Sequence, residues 1–362
     1  MNNKTILIVG GSGLVGSAAI RRFSSLLGWT VLSCSRKKPS IEVDFEHISI
    51  DLEDKDSISA VIPKLSAVTH ILYAALFEMP ELVAGWRSEQ QIQTNLRMLE
   101  NLFGLLLKHN MDLEQVILLQ GGKAYGGHVG EANVPSKESS PRVEHANFYW
   151  LQEDYLRSLG STRNWGLTIF RPQIIFGDAL NAAMNLVPAI GVYAALLKEQ
   201  GRPLDYPGGP PVVLEAVDAD LLADAFAWAV TNTEAMDETF NLTNGDVFVW
   251  RNIWPVIAES LGMAIGEDHR CLFAETLPMR SNEWQAIVTK YDLVAPAMMA
   301  FVGQGFQYAD ALLGTDLAQN TTPKLLSTVK IRQAGFSQCM DTEEMFRKWF
   351  KLFQQRKLLP SI

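Results

Sequence analysis

Val9-Gly10-Gly11-Ser12-Gly13-Leu14-Val15-Gly16-Ser17 follows directly on the apolar run Thr5-Ile6-Leu7-Ile8-Val9 and leads into Ala18-Ala19-Ile20. A β-branched run, then glycines at 10, 13 and 16, then small and apolar residues reads as strand, tight turn and helix. The glycines let backbone pass beside a pyrophosphate, and the helix N-terminus offers N–H groups and positive dipole to it. A Gly-rich turn by itself is weak evidence, because many are plain loops. With a strand before it and a helix after it, the turn reads as a dinucleotide site whose contacts are Gly10, Ser12, Gly13, Leu14, Val15 and Gly16.

The chain then alternates. Trp29 to Lys38 reads as a second strand ending in Ser35-Arg36-Lys37, where an acidic residue would grip the ribose hydroxyls of NAD. A hydroxyl and a guanidinium suit the 2′-phosphate of NADP instead, so Ser35 and Arg36 are assigned to it. Glu46 to Leu52 reads as a third strand, with Asp51 and Leu52 flanking the adenine. The fourth, residues 67–75, ends in Ala74-Ala75, small enough for close approach of the cofactor. A helix over Gln90 to His109, a fifth strand over 113–122 and a sixth over Gly166 to Pro172 complete a doubly wound parallel α/β sheet of the Rossmann type.

Beyond residue 177 the alternation fades. Asn181 to Gln200 reads as an Ala- and Met-rich helix, Pro203 to Val213 as a loop, Asp218 to Val230 as a capped helix, and 240–245 as a returning strand and turn. Residues 251–362 read as mainly helical. The expected organisation is a dinucleotide-binding domain over 1–177 with a return segment at about 214–250, and a smaller substrate lobe from 178–213 and 251–362 packed over the strand ends.

Composition excludes several classes. Among 362 residues, 31 basic and 40 acidic side chains give a net charge of −9, which argues against nucleic acid or an anionic membrane as main partner. Cys34, Cys271 and Cys339 are far apart with no CxxC pair, and the six histidines are scattered, so neither disulfides nor a metal site is expected. No basic n-region precedes the first strand, and no uncharged span approaches the ~18 apolar residues of a membrane helix. A cytoplasmic enzyme is the expectation.

In short-chain dehydrogenases, a Tyr-x-x-x-Lys pair on a helix works beside a Ser or Thr after the fifth strand. The Lys lowers the tyrosine pKa and the hydroxyl polarises the carbonyl. Here Tyr149 stands in the expected place, but the residue four on is Glu153; after the fifth strand, Gln120-Gly121-Gly122-Lys123 has Gly121 in the serine's place. A carboxylate one helical turn away is expected to raise the Tyr149 pKa and keep the phenol protonated.

The GxxGxxG spacing resembles extended short-chain dehydrogenases/reductases, and the two departures together resemble one branch of them, the progesterone 5β-reductase/iridoid synthase-like enzymes. That family's Gly-x-Lys motif is matched by Gly121-Gly122-Lys123, and its Asn-Phe-Tyr-Tyr-x-x-Glu-Asp motif by Asn147 to Asp154 with Trp150 for the second Tyr. Arg171-Pro172-x-x-Ile175-Phe176-Gly177, Met184-Asn185-Leu186, Asp218-Ala219-Asp220-Leu221 and Phe240-Asn241-Leu242 are also similar, so the matches span most of residues 5–265.

The resemblance implies NADPH-dependent 1,4-reduction of an α,β-unsaturated carbonyl compound, an enone or enal, with Tyr149 and Lys123 as catalytic pair. It also implies cofactor contacts at Gln120, Gly121, Tyr149, Pro172 and Ile175, substrate contacts at Leu76, Phe148 and Met184, and a possible homodimer. Family members acting on plant metabolites tend to carry Trp after the fourth strand, where this chain has Leu76-Phe77, so their substrate specificity does not transfer. The rival readings on the same scaffold are a carbonyl reductase or sugar-nucleotide epimerase, which Glu153 and Gly121 disfavour, and a non-catalytic NADP sensor, which Tyr149 with Lys123 disfavours.

Overall fold

A computed structural model describes residues 4–109, 112–130, 132–160, 165–315 and 322–361, with Val83 through its backbone alone. Its centre is a seven-stranded sheet in which every pairing is parallel. The strands are β1 (Lys4–Val9), β2 (Trp29–Ser35), β3 (Glu46–Ser49), β4 (His70–Tyr73), β5 (Gln115–Leu119), β6 (Gly166–Pro172) and, after three short strands outside this sheet, β10 (Thr239–Leu242). Their spatial order is β10-β6-β5-β4-β1-β2-β3. Helices α1 (Leu14–Ser24), α2 (Lys55–Val61), α3 (Leu82–Gly85), α4 (Glu89–Lys108), α5 (Phe148–Gly160), α6 (Val187–Glu199), α7 (Ala219–Ala229) and α8 (Trp250–Ser260) follow in chain order.

Strands covered on both faces need no polar alternation, which is why Ile6 to Val9 and all of β6 are buried. The order reverses between β1 and β4, whose C-terminal residues Val9 and Tyr73 are partners. Ligands of open α/β sheets bind outside the carboxyl ends of the strands at such a reversal. Gly10 and Ala74-Ala75 lie there.

The expected elements are present with narrower bounds. The fifth strand stops at Leu119, because Gly122–Tyr125 closes a 3-10 turn ended by Gly126 at φ +75°. The expected helix over Asn181 to Gln200 begins only at Val187. Asn181 sits at φ +53°, and the Asn185 amide donates to the carbonyls of Gly177 (2.9 Å) and Ala179 (3.1 Å), holding residues 181–186 as a loop. Within the expected loop over Pro203 to Val213, β8 (Leu204–Tyr206) pairs in parallel with β11 (Ile265–Asp268), and β7 (Ile174–Phe176) pairs with β9 (Ala216–Asp218). Residues 251–361 are mainly helical where described; 316–321 lie outside the described residues.

Two cores flank the sheet, and a third joins α6, buried from Val187 to Leu197, to α8 and the last helix, Thr342–Gln355. That helix presents Met345, Phe346, Trp349, Phe350 and Phe353 inward. Lys348 on its polar side reaches Asp218 (2.6 Å) and Asp220 (3.0 Å), and Arg21 of α1 also meets Asp220 (3.0 Å). These pairs tie the chain's end to the helix that opens at the Gly-rich turn. Among the described residues no helix is long and apolar enough to cross a membrane.

Candidate active site

The Gly-rich turn has the geometry its sequence requires. Gly10 sits at φ +87°, and a Cβ there would lie 2.7 Å from the Ala75 nitrogen, so only glycine fits between β1 and the end of β4. A Cβ at Gly16 would lie 2.3 Å from the Gly10 carbonyl oxygen, so the third glycine sets how closely α1 packs on the turn. Gly13 is the N-cap of α1 and supplies no capping side chain, and the first-turn N–H groups are of the kind an anion satisfies. Ser12 is exposed beside them, with Leu14 half-buried and Val15 buried in the core. This cradle fits a dinucleotide pyrophosphate.

At the ends of β2 and β3, which are in register at Ser35 and Ser49, Arg36 and Lys37 are exposed. The Ser35 hydroxyl donates to the Lys37 carbonyl (2.7 Å), closing the turn that presents both cations. Asp51 is exposed and accepts from its own turn, at the Glu53 N–H (3.0 Å). Leu52 is buried among the core side chains, and its carbonyl is taken by Asn101 (2.9 Å).

Tyr149 lies in the first turn of α5, 8% exposed, in a cluster with Ile92, Ala124, Phe148 and Trp150. Asn147 ties that turn to the lysine loop: its amide oxygen accepts from the Tyr149 N–H (2.9 Å) and its nitrogen donates to the Lys123 carbonyl (3.2 Å). A Cβ at Gly121 would lie 3.2 Å from the Tyr149 hydroxyl and 3.5 Å from the Pro172 carbonyl. A side chain at this position would press on the phenol, which would have to shift by a few tenths of an ångström, so the glycine leaves Tyr149 its room. Phe148 packs edge-on to Tyr149 at 4.5 Å. Lys123 places its ammonium 3.6 Å from the centre of the Trp86 ring and 3.6 Å from the Met184 sulfur. Of the expected substrate contacts, Met184 and Phe148 are therefore in this corner, while Leu76 is exposed at 36%; Ile175, expected at the cofactor, is half-buried between two cores.

Glu78, Trp86 and Tyr308 have no part in the sequence reading, yet they complete the corner. After β4 the chain is held to α4 by two amides: Asn95 exchanges hydrogen bonds with the Phe77 backbone (both 2.8 Å), and Gln91 accepts from the Met79 N–H (2.8 Å). The Gln91 nitrogen then donates to the Glu78 carboxylate (2.7 Å). Gln304 and Gln307, on either side of the start of the Gly305–Leu313 helix, grip the same segment through Met79 and Leu82, bringing Tyr308 in from the far end of the sequence. No period or spacing could have joined these pieces.

The electrostatics correct one expectation. The Tyr149 pKa is raised, but burial is the chief cause and the Glu78 carboxylate the next; Glu153 is not among them. Glu153 turns instead into a buried network, meeting Arg171 (3.1 Å), Arg157 (3.0 Å), Arg142 (3.4 Å) and the Gln120 amide (3.1 Å), which neutralise it. Gln120, expected at the cofactor, spends its side chain here, donating also to the Tyr149 carbonyl (3.0 Å) and accepting from Arg171 (2.8 Å). Burial lowers the Lys123 pKa to about 8, with Glu78 opposing the shift. Both Tyr149 and Lys123 are therefore protonated near neutrality, a donor pair. If the ammonium is the acting form, kcat/KM should fall as pH rises through about 8, and Glu78→Gln should move that limb to lower pH. A profile flat to well above that value, or unmoved in the variant, would separate Lys123 from the chemistry.

Comparison with known proteins agrees with the motifs. The PRISE-like Rossmann-fold domain family matches residues 41–360. A (S)-8-oxocitronellyl enol synthase of Nepeta cataria is 31% identical, covering 98% of this chain and 91% of its own. A 3-oxo-Delta(4,5)-steroid 5-beta-reductase of Arabidopsis thaliana is 28% identical over 98% of this chain and 92% of its own. Among solved structures, UDP-glucose 4-epimerase of Thermus thermophilus with NAD superposes with a TM-score of 0.67 at 18% identity, covering 97% and 99% of the two chains, a likeness of fold alone. The glycine that makes room for Tyr149, the lysine two residues on and a family match over nearly the whole chain converge: this protein belongs to the PRISE family, the progesterone 5β-reductase/iridoid synthase-like branch of the extended short-chain dehydrogenases.

Proposed function

We propose that this chain is an NADPH-dependent oxidoreductase that reduces the C=C bond of α,β-unsaturated carbonyl compounds. The observation that carries the reading is the buried phenol of Tyr149, tied through Asn147 to the loop of half-buried Lys123 and raised in pKa by burial, where the superfamily's usual tyrosine is poised to ionise. The two relatives named above, a steroid 5-beta-reductase and an oxocitronellyl enol synthase, support it.

NADPH, when bound, supplies the hydride. Gly10, Gly13 and Gly16 would hold its pyrophosphate, and Ser35 with Arg36 and Lys37 its 2′-phosphate. Addition at the β-carbon moves negative charge to the carbonyl oxygen. Tyr149 and Lys123 are both donors, so they stabilise that oxyanion as it forms and bind the neutral carbonyl less well, which is the differential a catalyst needs. A solvent proton at the α-carbon then completes the addition of one hydride and one proton. The phenol's high pKa suits this task and not alcohol oxidation, which needs a base. Trp86, Met184, Phe148 and Tyr308 wall the corner and keep water from the charge.

Incubating the protein with NADPH and 2-cyclohexen-1-one and separating the products tests the reading. Saturated ketone is the expected product, with NADH consumed at least ~10-fold less efficiently because nothing in its ribose engages the Arg36 fork. Allylic alcohol as sole product would assign a carbonyl reductase instead, and tight NADPH binding without turnover across enones and enals would assign a sensor.

A further inference from the structure

The loop that carries Lys123 runs on through Gly126, Gly127 and His128, and bases surround its outer end. Arg87, next to the Trp86 ring that receives the Lys123 ammonium, donates to the His128 carbonyl (2.6 Å). On the other side, the stem of Lys324 packs against Gly127, where a Cβ would lie 3.1 Å from its Cδ, and the Lys324 carbonyl accepts from Gln173, whose own oxygen abuts Gly122. The His128 ring meets His145 edge-on at 5.1 Å. His145 in turn contacts the amide of Asn147 (3.2 Å), the residue that fixes both Tyr149 and Lys123. The groups whose fields hold the His128 pKa down to about 4, after burial, are His145, Lys123, Arg87 and Lys324, all of them bases.

In a protein of net charge −9, three cations thus stand around one loop, graded from half-buried Lys123 to exposed Arg87 and Lys324, with half-buried His128 between them. Glu78, the carboxylate that acts on Lys123, sits at the inner end. Lys123 is accounted for by the reacting oxygen. The outer bases are not: a neutral enone offers them nothing, and the cofactor's phosphates are already matched by the Gly-rich turn and the Arg36 region. We infer that the substrate of this enzyme carries a carboxylate at the end away from its enone, received by Arg87 and Lys324 across the His128 loop. This rests on the enone reading and adds a substrate class to it. Arg87 can present two N–H groups to a carboxylate, and Lys324 adds a point charge, so the pair would orient an elongated acid with its enone toward Tyr149.

The test compares 8-oxonon-6-enoic acid with its methyl ester, with 2-cyclohexen-1-one as a charge-free control, at saturating NADPH. The expected kcat/KM for the acid exceeds that for the ester by on the order of 10-fold, the difference shrinks as salt rises, and it collapses toward unity in Arg87→Gln/Lys324→Gln. The ratio is internal to each protein, so a general loss of activity in the variant does not imitate the result. An ester reduced as well as the acid by the unaltered protein overturns the inference while leaving the enone reading intact. So does a variant whose NADPH affinity falls while its acid-to-ester ratio stays put, which would give these bases to the cofactor. Failure to reduce any of the three compounds defeats the enone reading, and this inference with it.

Discussion

Tyr149→Phe is expected to lower kcat for enone reduction by on the order of 10²- to 10³-fold, the cost of removing one preorganised donor from a developing oxyanion. KM should change little, because the phenol binds the charged state better than the neutral carbonyl; loss confined to kcat is the signature of an interaction made in the transition state. The substitution is well suited to the test. The ring packs among Ile92, Ala124, Phe148 and Trp150 and makes its backbone bonds to Asn147 and Gln120, none of which needs the hydroxyl. The folded protein and its NADPH affinity should therefore survive, and the thermal midpoint should match the unaltered chain. A variant retaining kcat within about threefold would show that Lys123 or solvent carries the charge alone.

The parts of the site legible in the sequence were those built from one continuous stretch. The strand-turn-helix at 5–20 states its own geometry, since Gly10 and Gly16 are each required by a backbone atom within 3 Å of where a Cβ would stand. The alternation of β-branched runs and helices likewise announces the sheet. Lys123 was visible only through resemblance, because a lysine in a loop has no periodicity to betray it. Glu78, Trp86 and Tyr308 were not visible at all. They reach the corner because side-chain amides on α4 and Gln304 and Gln307 pull the 77–82 segment inward, and such bonds are written in no local pattern. Glu153 shows the opposite failure. Its spacing from Tyr149 correctly places both on one turn of α5, but helical spacing says nothing about what the next strand brings up against that turn. Arg171 arrives from β6 and takes the carboxylate away from the phenol.

That ion pair makes the second large prediction. Glu153 and Arg171 are only 5% and 3% exposed, and their mutual attraction offsets a desolvation cost that neither could bear alone. Arg171→Met should destabilise the protein by about 3–5 kcal/mol, the usual consequence of leaving one buried charge without its partner, read as a lowered urea midpoint. Arg157 and Arg142 still face Glu153, so the loss should fall toward the lower end of that range. Arg171→Met/Glu153→Leu should recover most of it, since an apolar pair of similar volume escapes the desolvation penalty altogether. The two variants should differ less in activity than in stability. Gln120 is anchored by Arg171 and in turn holds the Tyr149 carbonyl, so both lose part of what fixes the start of α5 over the Lys123 loop. A double variant as stable as the unaltered protein but slower in kcat would show that the pair is kept for placing the phenol; one equal in both respects would show it to be dispensable.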